Sequence, residues 1–453
     1  MLLVLIFLLG VWLWDNHLGK PALPPGPSAK ADTWELAFRK ADRDLRLAEG
    51  TAHMPSWVQP LLGIDDVEQT LATRIAAMAP LVYGRHRHDE TDPRATAMAD
   101  EGAFALGVMI AVHGHGNAAN GPFQQLGIPG APSTEEIMSR IIEGREHWWD
   151  LAYLQALELP ASEAEAGAFA AQLVDARTRH LVSNTIKARG AVIAVTLGGL
   201  IFLPGTLLGF MRSKRPRGYV GRWTLSFGLG VFLLAYLAYL GFSLSFSHSI
   251  DWISRIPSDE GGPLMSMPVF ITLDSLTRFL PALIALGLLF RRCRHAISRL
   301  GLAGPLDGRM VLGGFAILQI IEFGLRMTID RSGTPDATGG LSMMELGPWG
   351  LAFGVASACL AAPIAEEILY RGVLFRSLHN RMRLAPAVLI SSVVFALVHF
   401  YTLPSLIMVG CVGAVCALGY SASRSLLTAI VLHALYNASI KIPEWIVYQT
   451  ALS

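Results

Sequence analysis

The sequence predicts an all-α protein: a polytopic membrane helix bundle with an N-terminal, mainly helical soluble extracytoplasmic domain. Three observations carry this prediction. Only 16% of the 453 residues are charged, against about 25% in a typical soluble globular protein, and mean hydropathy is +0.44. The deficit is uneven: residues 15–187 are charged, whereas the chain beyond Gly190 alternates apolar stretches with short basic loops. Helical periodicity with polar faces marks the first region, and the later stretches approach the length of about 20 residues that a bilayer-crossing helix needs.

Charge and cysteines exclude some classes. A net charge of +1 suggests no nucleic-acid or acidic partner. The four cysteines, Cys293, Cys359, Cys411 and Cys416, all lie in or beside apolar segments, and none has zinc-finger spacing. A disulfide framework is therefore not expected.

Taken in order, residues 1–18 begin with the continuous apolar run MLLVLIFLLGVWLW and lack a basic region before it. They read as a retained membrane anchor, with a cleaved signal as the alternative, and in either case the next segment is exported. Residues 19–31 form a stiff, proline-rich linker. Residues 32–187 form the soluble domain, with helices expected over Asp32–Glu49, Asp65–Met78, Ser133–Glu158 and Ser162–His180. Ser133 and Ser162 precede acidic residues, as helix N-caps do. His113-Gly-His-Gly-Asn and Arg85-His-Arg-His-Asp read as loops rather than metal sites. No chemistry is identifiable in this domain; its position suits binding of a substrate or an envelope partner.

Residues 190–346 read as accessory transmembrane helices and residues 347–442 as a separate transmembrane core. Spans are expected at 190–211, 223–247, 268–290, 309–327, 347–370, 385–400, 404–420 and 425–442. Basic residues orient them. Arg212, Lys214, Arg215, Arg217 and Arg222 mark one loop, and Arg291, Arg292, Arg294 and Arg299 a second. Arg381 with Arg383, and Arg424, mark two turns. Placing these in the cytoplasm leaves residues 15–187, His248–Met267 and Arg326–Gly347 outside.

The last spans carry polar groups where lipid should be. Glu366, Glu367 and Arg371 lie on one, His399 ends the next, and His433 with Asn437 sit one turn apart on the last. An ionisable group in a span costs about 2.5–3.5 kcal/mol on insertion scales and persists when it pairs, lines a wet cavity or does chemistry. Glu366 and His399 are equidistant from the middle of the Arg381–Arg383 turn, which puts both about 25 Å from it at the helical rise. His433 and Asn437 reach a compatible depth. A carboxylate in low dielectric can serve as general base near neutrality, with an imidazole helping to hold the water. A second imidazole and an amide can stabilise the oxyanion. Glu367 and Arg371, at i,i+4 in the favourable order, read as an ion pair that neutralises and orients. Phe395, one turn before His399, reads as core. Asp274, Arg278 and Glu322 read as packing, solvated ends or ion pairing.

Glu366-Glu367-x-x-x-Arg371, Phe395-x-x-x-His399 and His433-x-x-x-Asn437 resemble the three motifs of the CAAX-protease and bacteriocin-processing (CPBP, or Abi) intramembrane proteases, which include the type II CAAX prenyl endopeptidases. The resemblance covers residues 347–442. It implies an endopeptidase in which Glu366 activates water with His399 as partner. His433 and Asn437 then form the oxyanion site, and Glu367 and Arg371 support it. It also implies a membrane-associated peptide or protein substrate within the lipid bilayer, and with the alanine-rich composition it suggests a bacterial inner membrane.

Metal is a second possibility. Glu366, His399 and His433 are the candidate zinc ligands, and the family has been described as metalloprotease. No His-Glu-x-x-His motif occurs, and a catalytic zinc typically has three protein ligands, so no cofactor is favoured. Two other functions compete: a non-catalytic membrane peptide-binding or immunity scaffold of the same fold, and a proton-coupled transporter. The transporter would usually show paired repeats, which the sequence lacks.

Overall fold

A computed structural model describes residues 31–83, 93–115, 131–156, 164–213, 223–253, 272–273, 275–290, 300–328, 348–399 and 403–451. The expected anchor at 1–18, linker residues 19–30, the Arg85 cluster, Gly116, Asn117, Ser162, Asp274, Cys293 and the basic loops 214–222 and 291–299 lie outside the described residues. No strand occurs among the described residues. The protein is an all-α, multi-pass membrane protein. The chain divides into two compact units, one built from Ala191–Leu325 and Leu346–Ile442, the other from the described parts of His17–Gly190, Arg326–Glu345 and Pro443–Ser453.

The soluble-type unit contains α1 (Ala31–Thr51), α2 (Val58–Leu62), α3 (Val67–Tyr83), α4 (Pro93–His115), α5 (Thr134–Glu143), α6 (Trp148–Ala156) and the first part of α7 (Ala164–Leu200). Its core gathers Trp34, Phe38, Phe104 and Trp149, all nearly inaccessible. Burial of such aromatic area is the main source of stability in a unit of this size. Buried charges are paired, as they must be: Arg46 donates to Asp42 at 2.8 Å, and Arg140 Nη1 stands 3.1 Å from Glu101 and 3.2 Å from Asp150.

Three expectations change here. The single helix expected over Ser133–Glu158 is two, because Gly144 adopts a left-handed φ of 72° and closes α5 by bonding back to Arg140 and Ile141. Ser133 caps α5 as expected, its Oγ accepting from the Glu136 amide at 3.2 Å. Residues 93–115 form a helix that the sequence reading missed. His113-Gly-His therefore lies at a helix end, not in a loop, with His113 exposed.

The membrane unit contains the rest of α7, α8 (Leu203–Met211), α9 (Leu225–Ile253), α10 (Leu280–Phe290), α11 (Gly308–Thr328) as far as Leu325, α12 (Trp349–His379), α13 (Leu384–Leu397), α14 (Leu403–Ser423) and α15 (Leu426–Ala451) as far as Ile442. Among the described residues, five helices are long and apolar enough to cross a membrane: Leu225–Phe242, Gly308–Thr328, Trp349–His379, Leu403–Ser423 and Leu426–Val447. The expected span 190–211 is broken, with a bend of 59° between Ala171–Leu200 and Leu203–Met211. Pro204 in the first turn of α8 cannot donate to the preceding turn, and its ring excludes a continuous helix. The expected spans 268–290 and 385–400 are shorter apolar helices, Ser275–Phe290 and Leu384–Leu397.

The expected span 347–370 continues to His379 and is not a uniform α-helix. It contains two π-helical segments, Ala356–Ala361 and Glu367–Phe375. Pro363 accounts for the first. Without an N–H it cannot bond to the carbonyl four residues back, that of Cys359, and its ring crowds that carbonyl. Around α12 packs one core that includes Phe315, Phe375, Phe395 and Tyr420.

Candidate active site

Glu366 and Glu367 are neighbours on α12, so their side chains leave the helix about 100° apart. The two carboxylates consequently differ. Glu367 is fully buried, whereas 23% of the Glu366 side chain remains accessible. Glu367 Oε1 stands 2.9 Å from Arg371 Nη1 and accepts a hydrogen bond from His433 Nδ1 at 2.8 Å. The one positive charge of Arg371 thus answers Glu367 and leaves Glu366 as the carboxylate open to a ligand.

Arg371 is itself held on three sides. Its Nη2 donates to the carbonyl of Gly413 on α14 at 3.1 Å, and its guanidinium lies 4.3 Å from the centroid of the Phe395 ring. This cation–π contact is strengthened by the absence of water. Glycine at 413 suits the close approach: a Cβ there would lie 3.2 Å from both Phe395 Cδ1 and the backbone of Ser392, a tight contact.

His433, on α15, joins the two glutamates. Its Nδ1 is committed to Glu367, and its Nε2 faces Glu366 Oε2 at 3.9 Å. That is longer than a hydrogen bond but within ion-pair reach. His399 sits in the turn that ends α13, its amide bonded to Ala396 O at 3.0 Å. Its Nδ1 donates to Phe395 O at 2.7 Å. A carbonyl only accepts, so the neutral ring carries its proton on Nδ1 and presents Nε2 as a base.

Phe395 is the hub of these contacts. Its ring centroid lies 5.0 Å from that of Tyr370, 4.8 Å from His399 and 5.9 Å from His433. The residue read from sequence as core is core, with 1% exposure, and it links all three motif helices.

Asn437 is placed differently from the rest. Its Nδ2 donates to the carbonyl of Ala358 at 2.7 Å. Within the π-segment the Ala362 amide bonds to Ser357 O, five residues back. In that register the partner of Ala358 O would be residue 363, a proline. Asn437 therefore satisfies a carbonyl that the helix cannot. One hydrogen of its amide group is committed there, and the second is available to a ligand.

Arg371, His399 and His433 thus meet around Phe395, with Glu367 on Arg371 and His433, Glu366 beside His433 and Asn437 one turn along from His433. Sequence reasoning missed Gly413, the Ala358 carbonyl and Tyr436. The hydroxyl of Tyr436 donates to Glu322 on α11 at 3.1 Å and ties the His433 helix to its neighbour. Pro363, in the middle of an apolar span, was the signal that a carbonyl nearby would need a side-chain donor.

A zinc site needs three convergent ligands. Among the described residues no three His, Cys, Asp or Glu side chains converge in this way. His433 Nδ1 is engaged by Glu367 and His399 Nδ1 by the Phe395 carbonyl, so each ring keeps Nε2 as its open nitrogen.

Residues 348–439 match a family model described as type II CAAX prenyl endopeptidase Rce1-like. The matched segment, about a fifth of the chain, runs from the start of α12 into α15 and contains every residue of the site. It supports the CPBP and CAAX-protease resemblance carried by the three motifs. No curated protein and no solved structure matches the chain.

Proposed function

We propose that this site hydrolyses a peptide bond of a membrane-associated protein or peptide, with water activated by Glu366 and without a metal. The observation that carries the reading is the inequality of the two adjacent carboxylates: Glu367 is buried and neutralised by Arg371, while Glu366 remains accessible beside His433. A pair of structural glutamates would both be paired.

In this mechanism Glu366 takes a proton from a water that also donates to His399 Nε2. The resulting hydroxide attacks the scissile carbonyl carbon. The tetrahedral oxyanion is met by the second N–H of Asn437 and, when His433 is an imidazolium, by its Nε2–H. As the carbon–nitrogen bond breaks, the protonated Glu366 gives its proton to the leaving nitrogen. Glu367 holds the His433 ring, and Arg371 holds Glu367; neither touches the reacting atoms.

The basic turns at Arg381, Arg383 and Arg424 orient the chain with that end in the cytoplasm and residues 15–187 outside, in a bacterial inner membrane. The outer domain would then meet a substrate or an envelope partner.

The test is cleavage of a panel of membrane-peptide substrates by the purified wild type and Glu366→Gln, each with and without a strong zinc chelator. Loss in the mutant with chelator-resistant activity in the wild type is the expected result. Loss under both treatments would replace it with a metalloprotease. No cleavage by either protein, with biological function retained by the mutant, would leave the peptide-binding scaffold.

A further inference from the structure

Helices α13 and α14 run antiparallel, joined at the His399 end, and between them lies a groove of about 580 Å³. It extends from Leu384 and Leu418 at one end to Leu397 and Leu406 at the other. The 14 residues of α13 make it about 21 Å long at the helical rise. Its volume is that of a ligand pocket, about 300–1,000 Å³. Small residues open it: a Cβ on Gly410 would still be 3.7 Å from Ala396 Cβ. Apart from Cys411 and Ser392 the remaining lining is aliphatic, and Leu389 remains 65% exposed. The only side-chain hydroxyl in the lining is Ser392, whose Oγ is buried without a hydrogen-bond partner.

The end at Leu384 and Leu418 is basic. Arg381 and Arg383 precede α13, and Arg424 follows α14. All three are exposed, and none forms an ion pair among the described residues. Arg383 is also the N-cap of α13 and makes no side-chain capping bond. The first amides of α13 are therefore left to another partner, at the positive end of the helix dipole. An apolar trough half a bilayer long that ends in three unpaired arginines and a helix N-terminus fits one kind of molecule. Its chain must be hydrocarbon, and its head must be an anion at the membrane surface.

We propose that this groove binds an anionic glycerophospholipid of the bilayer, with one acyl chain along α13 and α14 and the phosphate at Arg381 and Arg383. Charge complementarity selects this occupant over a neutral lipid, a second copy of the chain or the apolar run 1–14. The acyl chain would end beside Leu397, two residues from His399, so lipid occupancy would buttress the turn that carries this base.

The experiment uses the full-length purified protein in detergent. Photoactivatable phosphatidylglycerol and phosphatidylcholine, each with a diazirine on one acyl chain, are crosslinked at equal concentration and the adducts mapped by mass spectrometry. Phosphatidylglycerol is expected to label peptides of 384–397 and 403–423 at least fivefold more than phosphatidylcholine. Arg381→Gln/Arg383→Gln, at exposed positions outside the catalytic set, should abolish that preference while leaving the protein folded. Ala414→Phe should block both probes. Equal labelling by the two lipids, a preference that survives the double arginine variant, or adducts elsewhere would overturn the proposal. So would crosslinks between α13 and α14 of two copies formed by a separately added bifunctional reagent, which would assign the groove to a second copy.

Discussion

Asn437 donates its Nδ2 hydrogen to the carbonyl of Ala358 across 2.7 Å, and Pro363 is the reason that carbonyl is available. The π-register of Ala356–Ala361 would pair Ala358 O with the amide of residue 363, which proline lacks. A residue proposed to meet the oxyanion is thus also a structural donor. Asn437→Ala should cost about 1 kcal/mol by leaving a half-buried acceptor without its partner. In a Pro363→Ala background the new N–H can serve this turn, so the cost should fall well below that in the wild type. A double-mutant cycle on thermal unfolding in detergent measures the coupling. Additive costs would show that the proline and the asparagine act independently.

The two glutamates should respond oppositely to the same substitution. Glu366→Gln keeps shape and removes the base, so turnover should vanish while unfolding temperature stays near that of the wild type. Glu367→Gln removes the charge that Arg371 and His433 share. Leaving a buried cation uncompensated should cost about 3–5 kcal/mol. Paired measurements of activity and unfolding decide the assignment. A Glu367→Gln protein as stable as wild type would mean that the ion pair is not what holds His433.

Gly413→Leu tests the packing that holds Arg371. A side chain as large as leucine, built from a Cβ already 3.2 Å from Phe395 and Ser392, must push Phe395 or α13 aside, and overpacking of this kind costs about 1–3 kcal/mol. Because Phe395 touches both histidines, activity should fall further than stability does. The readout is residual cleavage at a temperature where the variant is fully folded. Undiminished activity would show that the Phe395 hub is dispensable.

Much of this site was legible in the sequence because its costs are large. Glutamate, arginine and histidine in apolar spans need partners, and Glu367 has Arg371 and His433. Glu367–Arg371 followed from i,i+4 geometry. What was not legible arises from backbone register. A π-segment changes which residues share a face without changing the hydrophobic pattern, and Gly413 looks like any other glycine of an apolar helix. The same holds in the other unit, where α4 was missed because its apolar residues run nearly all round and give little periodicity, whereas α5, with polar and apolar faces and a serine cap, was found.

The soluble-type unit should show a pH optimum set by two aspartates of opposite behaviour. Burial pushes the Asp44 carboxyl up, but Arg43, Arg74 and Lys40 outweigh it and hold Asp44 below its ordinary value of 3.8. Asp150 is pushed above 3.8, chiefly by burial, against the His147 amide and Arg140. For Asp44 the unfolded chain binds the proton more readily, so its contribution is complete above 3.8 and is lost as pH falls through the lower folded value. For Asp150 the folded state holds the proton more readily, so stability declines as pH rises from 3.8 through the raised folded value. Hydrogen exchange of peptides within 31–156 against pH reads both limbs in the full-length protein. Asp150→Asn should flatten the decline on the high side, and Asp44→Asn should flatten the acid limb. An Asp150→Asn protein with the wild-type slope above pH 3.8 would show that another group sets that limb.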